Sequence, residues 1–153
     1  YHQLCGQYDA LCQGVASPLS NMANLSSLLY HTLPRINWAG FYLLKGDELL
    51  LGPFHGKPAC VKILVGRGVC GTAAAARQLQ IVPDVHLFPG HIACDSASAS
   101  EIVLPLLNGG DLYGVLDLDS PDKSRFDDAD AQGLSLLTEI FLKHSALHKG
   151  MLG

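Results

Sequence analysis

Apolar side chains at Leu19, Met22, Leu25, Leu28, Leu29 and Leu33 recur every three or four residues, which predicts an amphipathic helix over Leu19–Leu33. Pro34 ends it, because proline has no N–H to continue the ladder and pushes the residue before it out of helical dihedrals. A second stripe of Leu134, Leu137, Phe141 and His144 follows Asp127, a capping residue type, with Asp130 three positions on. It predicts a C-terminal helix reaching about Lys149.

Between the stripes the pattern becomes strand-like. Asn37–Leu44 and Glu48–Phe54 form one predicted hairpin about Gly46-Asp47, and Glu101–Leu107 and Asp111–Asp119 a second about Asn108-Gly109-Gly110. Asn-Gly is the strongest short-range hairpin signal, because both residues tolerate positive φ. Val61–Val65 and Leu79–Val82 read as short strands flanking an Ala-rich helix at Thr72–Gln78. Pro83–Ser100, rich in Pro, His and small residues, reads as one long loop, a length that is usually functional or disordered. Helices at both ends with hairpins between them predict an α+β fold, a mostly antiparallel central sheet with the N- and C-terminal helices packed on one face. No repeat or linker divides the chain, so residues 1–153 are expected to form one domain.

Composition narrows the function. A hydrophobic content of 48% with 16% charge suits a globular core, and a net charge of −4 gives no electrostatic footprint for nucleic acid or an anionic membrane. No apolar run approaches the ~18 residues that span a bilayer. The opening residues show no basic region followed by an apolar one, so a cytoplasmic location is expected. The odd cysteine count argues against a secreted disulfide framework. The oligomeric state is left open, a homodimer included.

Four groups of residues offer chemistry. Gly66-Arg67-Gly68-Val69-Cys70-Gly71 matches a dinucleotide fingerprint with Asp84 near the expected distance, but that site needs parallel βαβ units, which the hairpins do not supply. The plainer reading is that these glycines allow a tight loop and close backbone packing. Cys60, Cys70, His86, His91 and Cys94 are zinc-ligand types, but without Cys-x-x-Cys or His-x-x-x-His spacing no metal site is expected. Cys94 lies in the long loop where a substrate can reach it; His91 would favour its thiolate and Asp95 oppose it. A small buried hydrophobe is the usual fate of a lone cysteine.

The fourth group weighs more. Asp117 and Asp119 share one face of a strand by period-two alternation, Glu101 begins the strand paired with it, and Trp38 and Tyr42 share a face by the same rule. Asp119 also suits a turn, as the start of Asp-Ser-Pro-Asp; Asp117, between two leucines, does not. An acidic cluster beside aromatics suits an amino group, and a carboxyl of raised pKa can donate a proton.

Taken in order, several segments resemble the motifs of the free methionine-(R)-sulfoxide reductases, which are built on the GAF fold. They are Asn37–Tyr42, Gly52-Pro53-Phe54, Gly66–Gly71, Asp84-Val85-His86, His91-Ile92-Ala93-Cys94, Ser100-Glu101-Ile102-Val103 and Gly114–Ser120. The resemblance implies that Cys94 attacks the sulfoxide, that Cys60 is the partner thiol and that Cys70 is a secondary or alternative participant. It implies a substrate pocket of Trp38, Tyr42, Glu101, Asp117 and Asp119, free methionine sulfoxide of R configuration as substrate, and recycling by thioredoxin or a similar dithiol. No metal or organic cofactor is implied. The rival expectation is a GAF-type sensory module that binds a small ligand without turnover. Such a module has no need of three thiols near one pocket and is normally joined to an output domain, for which no length is expected to remain.

Overall fold

A computed structural model describes residues 1–92 and 97–149, and in it hairpins form the centre of a sheet whose two faces are both covered. Strands β1 (Trp38–Lys45) and β2 (Glu48–Gly56) make the first hairpin, and β5 (Ser100–Asn108) and β6 (Asp111–Ser120) the second. Gly109 and Gly110 turn the second at φ 61° and 86°, left-handed values that side chains with a Cβ avoid. β3 (Lys62–Leu64) and β4 (Gln80–Val82) are the edges of the order β3-β2-β1-β6-β5-β4, and each pairing is antiparallel. An antiparallel sheet provides no βαβ crevice for the glycine run to serve.

Alternation along the strands feeds two cores. Ala39, Phe41 and Leu43 of β1 face α1 (His2–Cys12), α2 (Pro18–Thr32) and α4 (Asp128–His144), with Leu25, Leu29, Leu134, Leu137 and Phe141 buried among them. Trp38 and Tyr42 face the other way, toward α3 (Gly68–Ala76). The N- and C-terminal helices therefore do share one face, as expected, while α3 takes the opposite one. Asp127 and Asp130 complete a reciprocal capping box at α4, each side chain accepting from the other's backbone N–H at 3.0 Å.

Four expectations need correction. α1 went unassigned because Gly6 and polar residues interrupt it; Leu4, Tyr8 and Cys12, four apart, are nevertheless a buried stripe. α4 stops at His144, since Ser145 turns extended at φ −92°, ψ 134°. α3 begins at Gly68, four residues before Thr72, so the glycine run opens a helix. A Cβ on Gly71 would lie 2.5 Å from the Leu64 carbonyl oxygen, which shows that close backbone packing is what this glycine allows. The loop after β4 contains a 3₁₀ turn, Val85–Leu87, capped by Asp84. Among the described residues no helix is long and apolar enough to cross a membrane.

Candidate active site

The register of three strands builds the floor of a cleft. Trp38 on β1 lies opposite Asp119 on β6, which lies opposite Glu101 on β5, so the three form one row on the face beneath α3. Asp117, two residues along, stands between Gly40 and Val103. Gly40 is required there: a Cβ would collide with Phe54 and come within 2.9 Å of the Trp38 ring. The indole stacks on Phe54 (centroids 5.3 Å, planes 14° apart) and on Tyr42 (5.9 Å, 24°). Trp38, Tyr42, Glu101, Asp117 and Asp119, expected from the sequence as pocket residues, all line this cleft.

From above, α3 lowers Cys70 onto the acids. Its Sγ lies 3.8 Å from Glu101 Oε2, and one ligand atom each from Cys70, Glu101 and Asp117 fall within 4.8 Å of one another. Glu101 and Asp117 are 7% and 4% exposed, and neither has a cationic partner among the described residues. Burial first, then the charge of Asp117, pushes the Glu101 carboxyl well above the usual carboxylate range; burial and then Asp119 do the same to Asp117. The Cys70 thiol is pushed up by burial and then by the three carboxyls. A helix N-terminus favours a thiolate by only about 0.3–1 kcal/mol, too little against full burial beside three acids. Cys70 therefore stays a thiol. Cys70, Glu101 and Asp117 are also close enough together to hold a metal ion, each after losing its proton.

Asp117 Oδ1 is buried with no hydrogen-bond partner among the described residues, an arrangement that costs about 1–3 kcal/mol in a fold that has no use for it.

The two floor aromatics also hold the segment that carries Cys60. The Trp38 indole N–H donates to the Lys57 carbonyl at 3.1 Å, and the Tyr42 hydroxyl donates to the Cys60 carbonyl at 2.8 Å. Burial and then Asp117 raise the Tyr42 pKa, so the hydroxyl keeps its proton and remains a donor. Cys60 is disulfide-bonded, whereas Cys5, Cys12 and Cys70 are free thiols. Cys94 and its neighbour Asp95 lie outside the described residues. His91 lines the cleft beside Ile92, its pKa lowered by burial and then by His86, whose ring lies 6.2 Å away; near pH 7 it is neutral.

The sequence reading missed Arg67, Val69 and Ser98, which also line the cleft. Only the glycine run pointed toward the first two, since its tight packing sets the first turn of α3 at the rim. Ser98 carried no signal; it is buried within 3.4 Å of the Asn37 amide.

The chain matches the GAF domain family over residues 8–141. It is 58% identical over 137 residues to a protein of Escherichia coli (strain K12) named free methionine-R-sulfoxide reductase, covering 90% of this chain and 83% of that one. The structure of fRMsr of Staphylococcus aureus in its reduced form superposes with a TM-score of 0.92 at 48% identity, over 94% of each chain. The X-ray structure of free methionine-R-sulfoxide reductase from Neisseria meningitidis in complex with its substrate gives 0.91 at 41% identity, over 94% of this chain and 87% of that one.

Proposed function

The chain belongs to the GAF domain family and, within it, to the free methionine-(R)-sulfoxide reductases, and on that basis we propose that it reduces free methionine-(R)-sulfoxide to methionine with Cys94 as the nucleophile. The observation that carries this reading is the buried, proton-holding group of Glu101 and Asp117, beside Asp119, at the foot of a cleft walled by Trp38 and Tyr42. A sensory pocket has no use for a protonated acid cluster that is costly to bury; a sulfoxide reduction needs one, because its oxygen must leave as a protonated species.

The first half-reaction runs from a Cys94 thiolate. Its sulfur bonds to the sulfoxide sulfur while Glu101 or Asp117 protonates the oxygen; the hydroxyl then moves to the cysteine sulfur as the substrate sulfur's bonds to oxygen and to Cys94 break and methionine departs. The sulfoxide sulfur gains two electrons, and Cys94 loses two and becomes a sulfenic acid. The ammonium of the amino acid is met by Asp119, which lies opposite Trp38 on the neighbouring strand. The N-terminal turn of α3, Arg67 to Cys70, faces the same cleft and suits the carboxylate.

The second half-reaction uses Cys60. Its thiol condenses with the sulfenic acid, water leaves, and a Cys60–Cys94 disulfide remains for an external dithiol such as thioredoxin to reduce. The disulfide-bonded state of Cys60 and the free state of Cys5, Cys12 and Cys70 fit this pairing. Cys70 is the poorer resolving thiol because it is buried and held protonated, and we assign it the secondary role. The cytosol, where such a disulfide is readily reduced, is the compartment that suits the cycle.

The test is a methionine-release assay with free R and S sulfoxides and dithiothreitol. Release from the R epimer only, and its loss in Cys94→Ser, is the expected result. Tight binding without release would favour the sensory module, and a Cys94→Ser variant keeping more than a few per cent of the rate would remove Cys94 from the chemistry.

A further inference from the structure

The segment around Cys60 has a charge unlike the rest of the chain. Between Glu48 and Asp84 there is no acidic residue, but Lys57, Lys62, Arg67 and Arg77 all fall there, in a protein of net charge −4. Lys57 precedes Cys60 by three residues, Lys62 follows it by two, and Arg67 stands at the rim of the cleft. All three are exposed, and none has an anionic partner among the described residues. Elsewhere the pattern differs: Arg35, Lys123, Arg125 and Lys149 are paired with Asp122, Asp84, Asp130 and Asp111. On the same sheet edge Asp47 and Glu48 sit beside Val65 and Leu64, beyond Lys62, and the cleft acids Glu101 and Asp117 are buried beneath α3.

Exposed apolar side chains share this face. Val61, next to Cys60, is 66% exposed, and Pro58, two residues before Cys60, is exposed at the border of the cleft. β3 is an edge strand, so among the described residues no further strand shields the segment. Cys60 itself is half-buried, with its carbonyl fixed by Tyr42. An apolar centre with unpaired charges of one sign around it describes a surface that meets a protein of opposite sign.

We propose that the exposed edge formed by Lys57, Pro58, Val61 and Lys62 around Cys60 docks the acidic face of a protein dithiol, which reduces the enzyme at the Cys60 sulfur. This rests on the disulfide cycle proposed above. A thiolate of the partner attacks the Cys60 sulfur, the bond to Cys94 breaks, and Cys94 leaves as a thiolate that takes up a proton. The second partner thiol then attacks the mixed disulfide and releases Cys60 as a thiol. Two electrons pass to this chain, and the dithiol becomes a disulfide. The cations act on encounter, raising the association rate in a salt-dependent way.

The experiment compares the parent with Lys57→Glu/Lys62→Glu in methionine release driven either by a thioredoxin of net negative charge or by dithiothreitol. Because like charges replace unlike ones, the KM for thioredoxin should rise about tenfold, and its increase with added salt, seen in the parent, should disappear or reverse. With dithiothreitol, turnover should stay within about twofold of the parent, since a small dithiol needs no extended contact with the lysine-bearing surface. An unchanged KM for thioredoxin overturns the proposal, as does an equal loss with both reductants or a changed oligomeric state in sedimentation, which would make the face a self-association surface. A thioredoxin whose second active-site cysteine is serine should be trapped on Cys60 in the oxidised enzyme; mass mapping to Cys94 would overturn the assigned point of attack. If the parent releases no methionine with dithiothreitol, the functional reading fails, and the trapped adduct and its salt dependence still report on the face.

Discussion

Removing one oxygen atom from Tyr42 separates the two half-reactions. Tyr42→Phe keeps the ring that stacks on Trp38 but deletes the hydroxyl that donates to the Cys60 carbonyl at 2.8 Å. The lost bond is neutral and shielded, and a carbonyl is left short of a donor, so the expected cost to stability is about 1–2 kcal/mol. For a domain of this size that is a fall in Tm of about 2–8 °C. The Cys60 segment would then keep the bond from Trp38 to the Lys57 carbonyl and that from the Leu51 N–H to the Val61 carbonyl, but lose the one on Cys60 itself. If the full energy of the bond goes into presenting Cys60 to the sulfenic acid, disulfide formation slows about 5- to 30-fold. Rapid quenching of a single turnover without reductant measures both steps, methionine by chromatography and the sulfenic acid by trapping and mass spectrometry. The sulfenic acid should persist longer than in the parent, and methionine release should fall less than disulfide formation. Equal slowing of both steps would place the Tyr42 hydroxyl on the substrate and refute its role in positioning Cys60.

In Cys60→Ser, one equivalent of methionine should appear in a burst without reductant while thioredoxin-driven turnover falls steeply; a normal turnover with the defect in Cys70→Ser instead would make Cys70 the resolving thiol. Asp117→Asn should move the alkaline limb of the kcat/KM profile to lower pH, because Glu101 loses the charge that, after burial, does most to raise its pKa. A carboxyl raised in the fold is neutral at low pH and costs stability as pH rises through its folded pKa. Thermal melts of Asp117→Asn should therefore gain on the parent as pH increases, and parallel curves would show that the Asp117 carboxyl has the same pKa folded and unfolded.

Local chemistry made most of the sheet legible. The hairpins β1–β2 and β5–β6 follow from period-two patterns closed by Gly46-Asp47 and Asn108-Gly109-Gly110, because turn residues and strand alternation act over a few positions. The same locality placed Asp117 and Asp119 on one face, and the turn that sets the β5–β6 register brought Glu101 opposite Asp119. α2 and α4 announced themselves through their apolar stripes, with Pro34 after the first and the Asp127–Asp130 box before the second. What α1 does was not local: its stripe of Leu4, Tyr8 and Cys12 counts only once α2 and α4 are there to cover it.

The sequence by itself determined the strands, their alternation and so the acids available to one face. Only the tertiary structure decided their chemistry. Glu101 and Asp117 are ordinary carboxyls until α3 closes over them, lowers Cys70 to 3.8 Å and removes water, and it is that burial beside one another which holds their protons. The two hydrogen bonds from Trp38 and Tyr42 to the Cys60 segment likewise join residues about twenty positions apart through the β1–β2 register. Spacing along a chain specifies which side chains can share a face; desolvation and partner distance, which set pKa and reactivity, exist only after distant segments have packed.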